Sequence, residues 1–215
     1  MRKESTMTPP VGQDREQAAR RGRPGYDQES LLMVCVGVFN EHGFDATSMG
    51  MLADALGITK SAIYHHVKSK DELLSLSLDR ALSRLDRVME QARQAEGTTR
   101  ERFELLVRGT IRAVIEEKPH VTLLLRLRGN SPVELEAMNR RRAMTRELEA
   151  RFEHAQREGG VRTDLSPRHL TRFSFGLINS LVEWYRPERD DPDQVADAAV
   201  AMLCDGILLP NGNDE

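Results

Sequence analysis

Apolar positions recur every three or four residues over most of the chain, and glycine, proline and capping residues punctuate the stretches between. The spacing of Leu31, Leu32, Cys35, Val38 and Phe39 predicts a first helix from Asp27 to His42, stopped by Gly43. Thr47 and Ser48 cap a short helix, Met49 to Leu56, which Gly57 ends; Thr59 caps a third, Lys60 to Val67. Ser69 and Asp71 open a fourth that runs to about Ala95. Thr98 with Glu101 reads as a capping box before a helix from about Arg100 to Lys118, and a shorter apolar helix follows Pro119, from about His120 to Leu127. Ser131-Pro132 starts a long helix ending at Gly159-Gly160, Ser166-Pro167 one ending near Arg186-Pro187, and Asp191-Pro192 one ending near Gly206. The expectation is an all-α chain of about nine helices without a strand.

Composition agrees. Aromatic residues are 5% of the 215, too few and too scattered for an all-β core, and no apolar run reaches the roughly 20 residues of a membrane span. The N-terminus lacks an apolar leader core, so the expected location is the cytoplasm. Cys35 and Cys204 stand far apart in helical patterns, which gives neither a disulfide framework nor a metal site.

A formal charge of −3 argues at first against nucleic acid. The charge is segregated, however. Residues 1–26 hold six bases against three acids, and residues 57–70 hold Lys60, Lys68 and Lys70 with no acid, so two basic patches of +3 sit on an otherwise acidic chain. The first 26 residues carry prolines and glycines without an apolar period, the mark of a disordered arm.

Three short helices in residues 27–67, the last two separated by Gly57-Ile58, have helix-turn-helix spacing. Such a motif lays its second helix in the major groove. Ala46, Met49, Leu52, Ala53, Leu56, Ile58, Ile63 and Val67 supply a buried face, leaving Lys60, Ser61, Tyr64 and His65 outward. The segment FNEHGFDATSMGMLADALGITKSAIYHHVKSKDELL resembles the DNA-binding domain of the TetR family of bacterial transcriptional regulators, through Phe39, Gly43, Thr47, Ala53, Gly57, Tyr64-His65-His66 and Ser69-Lys70. Val67 departs from the phenylalanine usual there, one apolar residue for another. The resemblance implies that Thr47 and Ser48 hold a backbone phosphate, that Thr59, Lys60 and Ser61 approach base edges or phosphates, that Tyr64 and His65 contact phosphate, sugar or a thymine methyl, and that Lys70 clamps a phosphate. Thr59 is alternatively only a cap, and His66 either packs or contacts DNA. Arg21-Gly22-Arg23-Pro24 resembles the core of an AT-hook, which would set Arg21 and Arg23 in a minor groove; the other reading is a solvated tail.

The domain organisation expected is therefore an arm (1–26), a DNA-binding domain (27–72), a helical body (73–207) and a flexible tail (208–215). In the TetR family the body binds a small ligand and makes a homodimer. Leu170, Phe173, Leu177 and Leu181 on one late helix, with Val195, Ala199 and Met202 on the last, suit either a four-helix dimer interface or packing within one chain. Ligand candidates are Leu106, Ile111, Leu124, Arg128, Met144, Phe175, Asn179 and Trp184, with the arginines 140–142 and 146 as either an anion site or a solvated face. LVEWYRP (181–187) resembles an acyl-CoA-responsive branch of the family. The expected protein is a repressor that binds a palindromic operator in double-stranded DNA and is released by a part-apolar, anionic small molecule, without a cofactor. An activator and an architectural DNA binder are the alternatives. An enzyme is not expected, since the six histidines show no metal spacing and no GxSxG or phosphate loop occurs.

Overall fold

The computed structural model describes residues 27–207, which form ten helical segments: α1 (Gln28–His42), α2 (Met49–Leu56), α3 (Lys60–Tyr64), α4 (Lys70–Gln94), α5 (Thr99–Glu116), α6 (Lys118–Leu125), α7 (Pro132–Arg157), α8 (Pro167–Asn179), α9 (Leu181–Trp184) and α10 (Pro192–Ile207). The fold is all-α, and no strand element occurs among the described residues. Residues 1–26 and 208–215, with the expectations for arm and tail, lie outside them.

Capping chemistry sets most helix starts. Asp27, Ser48, Thr59, Ser69, Thr98, Ser131 and Ser166 each accept a hydrogen bond from the amide three residues on, satisfying a donor the first turn cannot. Glu101 returns the bond to the Thr98 amide, completing the capping box. Three boundaries differ from the sequence reading. The break before α6 falls at Glu117, two residues ahead of Pro119, which sits in the first turn of α6, where its missing N–H costs nothing. α3 stops at Tyr64, and the amides of His65 and His66 make tight i→i−3 bonds instead. The penultimate helix breaks at Ser180, giving α8 and α9.

α1, α2 and α3 enclose Leu31, Cys35, Phe39, Leu52, Ala53, Leu56, Ile63 and Val67, all buried. Ala46, expected in that face, is exposed. Gly57 makes the turn between α2 and α3 in the left-handed region (φ 64°), where its amide reaches the Asp54 carbonyl. α4 joins this unit to the body: its first half packs on α1 and its length runs against α5, α6 and α7. α5 is the body's centre, touching α4, α6, α8, α9 and α10. Both cysteines are buried, which pushes each thiol up to about 11.

Candidate nucleic-acid interface and effector cavity

Ser48, Thr59, Lys60, Ser61, Tyr64, His65 and His66 share the exposed rim formed by the start of α2 and the length of α3, and α3 carries no acid. The Ser48 and Thr59 oxygens accept from the Met51 and Ala62 amides, both at 3.2 Å. Lys60 lies back across Gly50: a methyl there would stand 3.1 Å from its Cε and 3.4 Å from Ser48 Oγ. The Lys60 ammonium thus gathers at the positive end of α2, beside amides with no helical partner. Cation, hydroxyls and free amides at a helix start suit a phosphate chain; Tyr64 and the two histidines add ring faces and ring nitrogens.

Two residues expected on this rim are turned inward. Thr47 is 2% exposed, and its hydroxyl donates to the Gly43 carbonyl at 2.7 Å, because it closes the turn after α1 rather than opening α2. Lys70 donates to the Phe44 and Thr47 carbonyls, both at 2.8 Å, and stands 4.3 Å over the Phe44 ring. It braces the α1–α2 turn with two of its three N–H donors. Arg21 and Arg23 lie outside the described residues.

The body holds a cavity of about 460 Å³ between α4, α5, α6, α7 and α8. Of the eight ligand candidates, Leu124, Met144, Phe175 and Asn179 line it, joined by Leu85, Thr110, Val114, Val121, Leu125, Arg141, Thr145, Arg172 and Gly176. The other four candidates are elsewhere. Leu106 lines a recess of about 190 Å³ at the far end of the body, between Phe103 and Phe152. Ile111 is wholly buried core. Arg128 borders a separate cleft of about 320 Å³ between α1 and the α6–α7 loop, where its amide, with those of Gly129 and Asn130, binds the buried Glu134 carboxylate. Trp184 is 48% exposed and donates from its indole N–H to Ser180 Oγ. The arginine run divides. Arg140 is ion-paired with Asp79 and Asp86, Arg142 and Arg146 face solvent, and Arg141 enters the cavity. Arg172, Phe175 and Asn179, three and four residues apart, form one helical stripe, so their spacing alone places Arg172 with the candidates Phe175 and Asn179.

Of the residues expected at a dimer interface, Phe173 and Met202 are 63% and 69% exposed, and Leu177 and Val195 partly so. With Trp184 they leave an open apolar face on α8, α9 and α10. Leu170, Leu181 and Ala199 are buried within their own chain; their helix faces turn toward the core.

Contacts between the helix-turn-helix unit and the body escaped the sequence reading, since no local pattern marks them. Asn40 of α1 donates to the Pro119 carbonyl at 2.9 Å, and Arg126 after α6 donates to the Asn40 carbonyl at 3.1 Å. Asn130 donates to Asp45 at 2.8 Å. Arg80 of α4 bridges Glu29 of α1 and Glu117 at the start of α6.

A helix-turn-helix whose α3 carries Lys60 and no acid, on a helical body with a half-open cavity, has the build of a DNA-binding regulator. Residues 32–75 match the model for bacterial regulatory proteins of the tetR family, and residues 96–207 match the tetracyclin repressor-like C-terminal domain. The crystal structure of SCO3833, a TetR-family member from Streptomyces coelicolor A3, is 42% identical over 90% of this chain and 98% of that one, with a TM-score of 0.77. The HTH-type transcriptional repressor KstR2 of Rhodococcus jostii (strain RHA1) is 27% identical over 95% of this chain and all of that protein. AibR in complex with isovaleryl coenzyme A and operator DNA shares the fold at a TM-score of 0.69 and 22% identity, over 81% of this chain and 96% of that one. The chain belongs to the TetR family: it is a DNA-binding transcriptional regulator and not an enzyme.

Proposed function

We propose that the protein is a repressor that binds a palindromic operator as a homodimer and leaves it when a small, part-apolar, anionic molecule fills the cavity between α4 and α8. The observation that carries this reading is a shared helix. Val121, Leu124 and Leu125 of α6 line the cavity, while the Pro119 carbonyl of α6 and Arg126 just after it hold Asn40 of α1. A molecule that shifts α6 therefore pulls on α1, and α1 sets the position of α2 and α3. Release follows as a population shift, because the effector binds best to the conformer whose reading edges are misspaced for DNA. KstR2 of Rhodococcus jostii is named a repressor, which supports repression here, and AibR holds isovaleryl coenzyme A, which supports an acyl-type effector.

The test is selection of bound fragments from a random DNA pool, followed by fluorescence anisotropy with the selected duplex while metabolites are added. Enrichment of a palindrome and its release by an apolar acid or its thioester are expected. Failure to enrich any two-fold site overturns the reading.

A further inference from the structure

The cavity's walls are apolar, and no Asp or Glu lines it. Two of its polar groups are occupied: the Thr110 and Thr145 hydroxyls donate to the Leu106 and Arg141 carbonyls of their own helices. Arg141 is different. It is half-buried, and its one hydrogen bond goes to the Leu124 carbonyl at 3.0 Å. Every other half-buried arginine among the described residues, such as Arg80, Arg108, Arg140 and Arg151, reaches a carboxylate within 4.0 Å; Arg141 reaches none. Burial, with Arg142 near by, pulls the guanidinium below its ordinary pKa. A partly desolvated cation without an anion is costly to keep, and the remaining forked N–H donors of Arg141 border the cavity with no carboxylate to meet. Asn179, on the facing helix, also has an amide without a hydrogen-bond partner among the described residues, and it opens into the same space.

We infer that Arg141 is the anion-reading residue of the effector site, and that the effector carries a carboxylate inside the cavity, accepted by the Arg141 fork and by the Asn179 amide, with its apolar body against Leu124, Met144 and Phe175. The planar guanidinium matches a carboxylate in a two-pronged pair, which favours this group over a hydroxyl or a neutral carbonyl. Coenzyme A is larger than a space of about 460 Å³, so its phosphates would lie at the exposed Arg172 rather than at Arg141. The inference rests on the cavity's being the effector site.

The experiment is calorimetric titration of the full-length chain with octanoate, phenylbutanoate and cholate, each beside its alcohol, and with octanoyl-CoA, on wild type, Arg141→Met, Arg141→Lys and Arg140→Gln. At least one acid is expected to bind about tenfold or more tightly than its alcohol. Arg141→Met removes that difference, Arg141→Lys keeps part of it, and Arg140→Gln changes nothing. Binding by no acid, equal binding of acid and alcohol, binding by the thioester alone, or acid binding that Arg141→Met leaves intact overturns the assignment. The acid-against-alcohol comparison is made on wild type and so stands even where a variant fails to fold. Arg141-dependent binding without operator release overturns the repressor reading and keeps this one; operator release that ignores Arg141 does the reverse.

Discussion

His120 is 1% exposed and rests its Nδ1 against the Ser77 carbonyl at 3.1 Å, at the junction where Arg80 ties Glu29 to Glu117. Burial holds its pKa below the ordinary 6.5, so the ring is neutral in the folded chain. Below pH 6.5 the unfolded chain takes up a proton that the folded chain refuses. The stability from this residue is therefore full above that pH and lost below it, by at most about 1.4 kcal/mol per pH unit. His120→Gln, which keeps a donor for Ser77, is expected to melt lower near neutral pH yet lose less on acidification, as a pH series of thermal melts would show. Lys70 gives a second residue-scale outcome. Its ammonium ends on two backbone carbonyls, so Lys70→Met is expected to cost about 2 kcal/mol of stability while leaving the salt dependence of operator binding unchanged. An unchanged melting temperature with a shallower salt slope would restore the phosphate-clamp reading. Thr47 and Lys70 were misplaced for one reason: sequence shows that a residue flanks a helix start, but not which side of the turn the core occupies.

Helix starts were legible because capping is local: the side chain that names a boundary also makes the bond that creates it, as at Ser48, Thr98 and Ser131. The break at Ser180 carries no such mark, since neither glycine nor proline stands there. The pairing of α2 with α3 was also readable, through Gly57. Gly57→Ala forces a side chain into a left-handed conformation and is expected to cost about 1–2 kcal/mol, measured by chemical denaturation. What local pattern did not give is the docking of α3 on α2 through Lys60 and Gly50. If Lys60 meets a phosphate at the head of α2, Lys60→Ala lowers the slope of log affinity against log salt by about 0.9 per half-site, with little change in melting temperature. An unaltered slope removes Lys60 from the interface.

Over the whole molecule, charge was the most readable property and partnership the least. Lys60 of α3 and Lys68 beyond its end sit exposed on a net-acidic chain, a division already visible in residues 57–70. Part of the acid pins α10 to α5 through Arg100–Asp205, Arg108–Asp197 and Arg112–Asp193, which holds the last helix with its outer face bare. Seven residues were named for a dimer face, and period alone could not separate the core side from the outer side of α8 and α10. Phe173 and Met202 are exposed and Leu177 and Val195 partly so, and Trp184, placed among the ligand candidates, joins them in one open apolar face. If a second copy covers it in two-fold symmetry, the paired reading edges address two half-sites together, and each half lends the other its effective concentration. Phe173→Glu with Met202→Glu places four carboxylates at such an interface. Neither residue is core, so the variant is expected to keep its helix content by circular dichroism, sediment as a monomer, and bind the full operator about a hundredfold more weakly. Met33→Glu, which charges an exposed apolar residue on α1, serves as the control and leaves assembly unchanged. A double variant that still sediments as a dimer moves the interface off α8 and α10; one that turns monomeric with full operator affinity removes the need for two-fold reading.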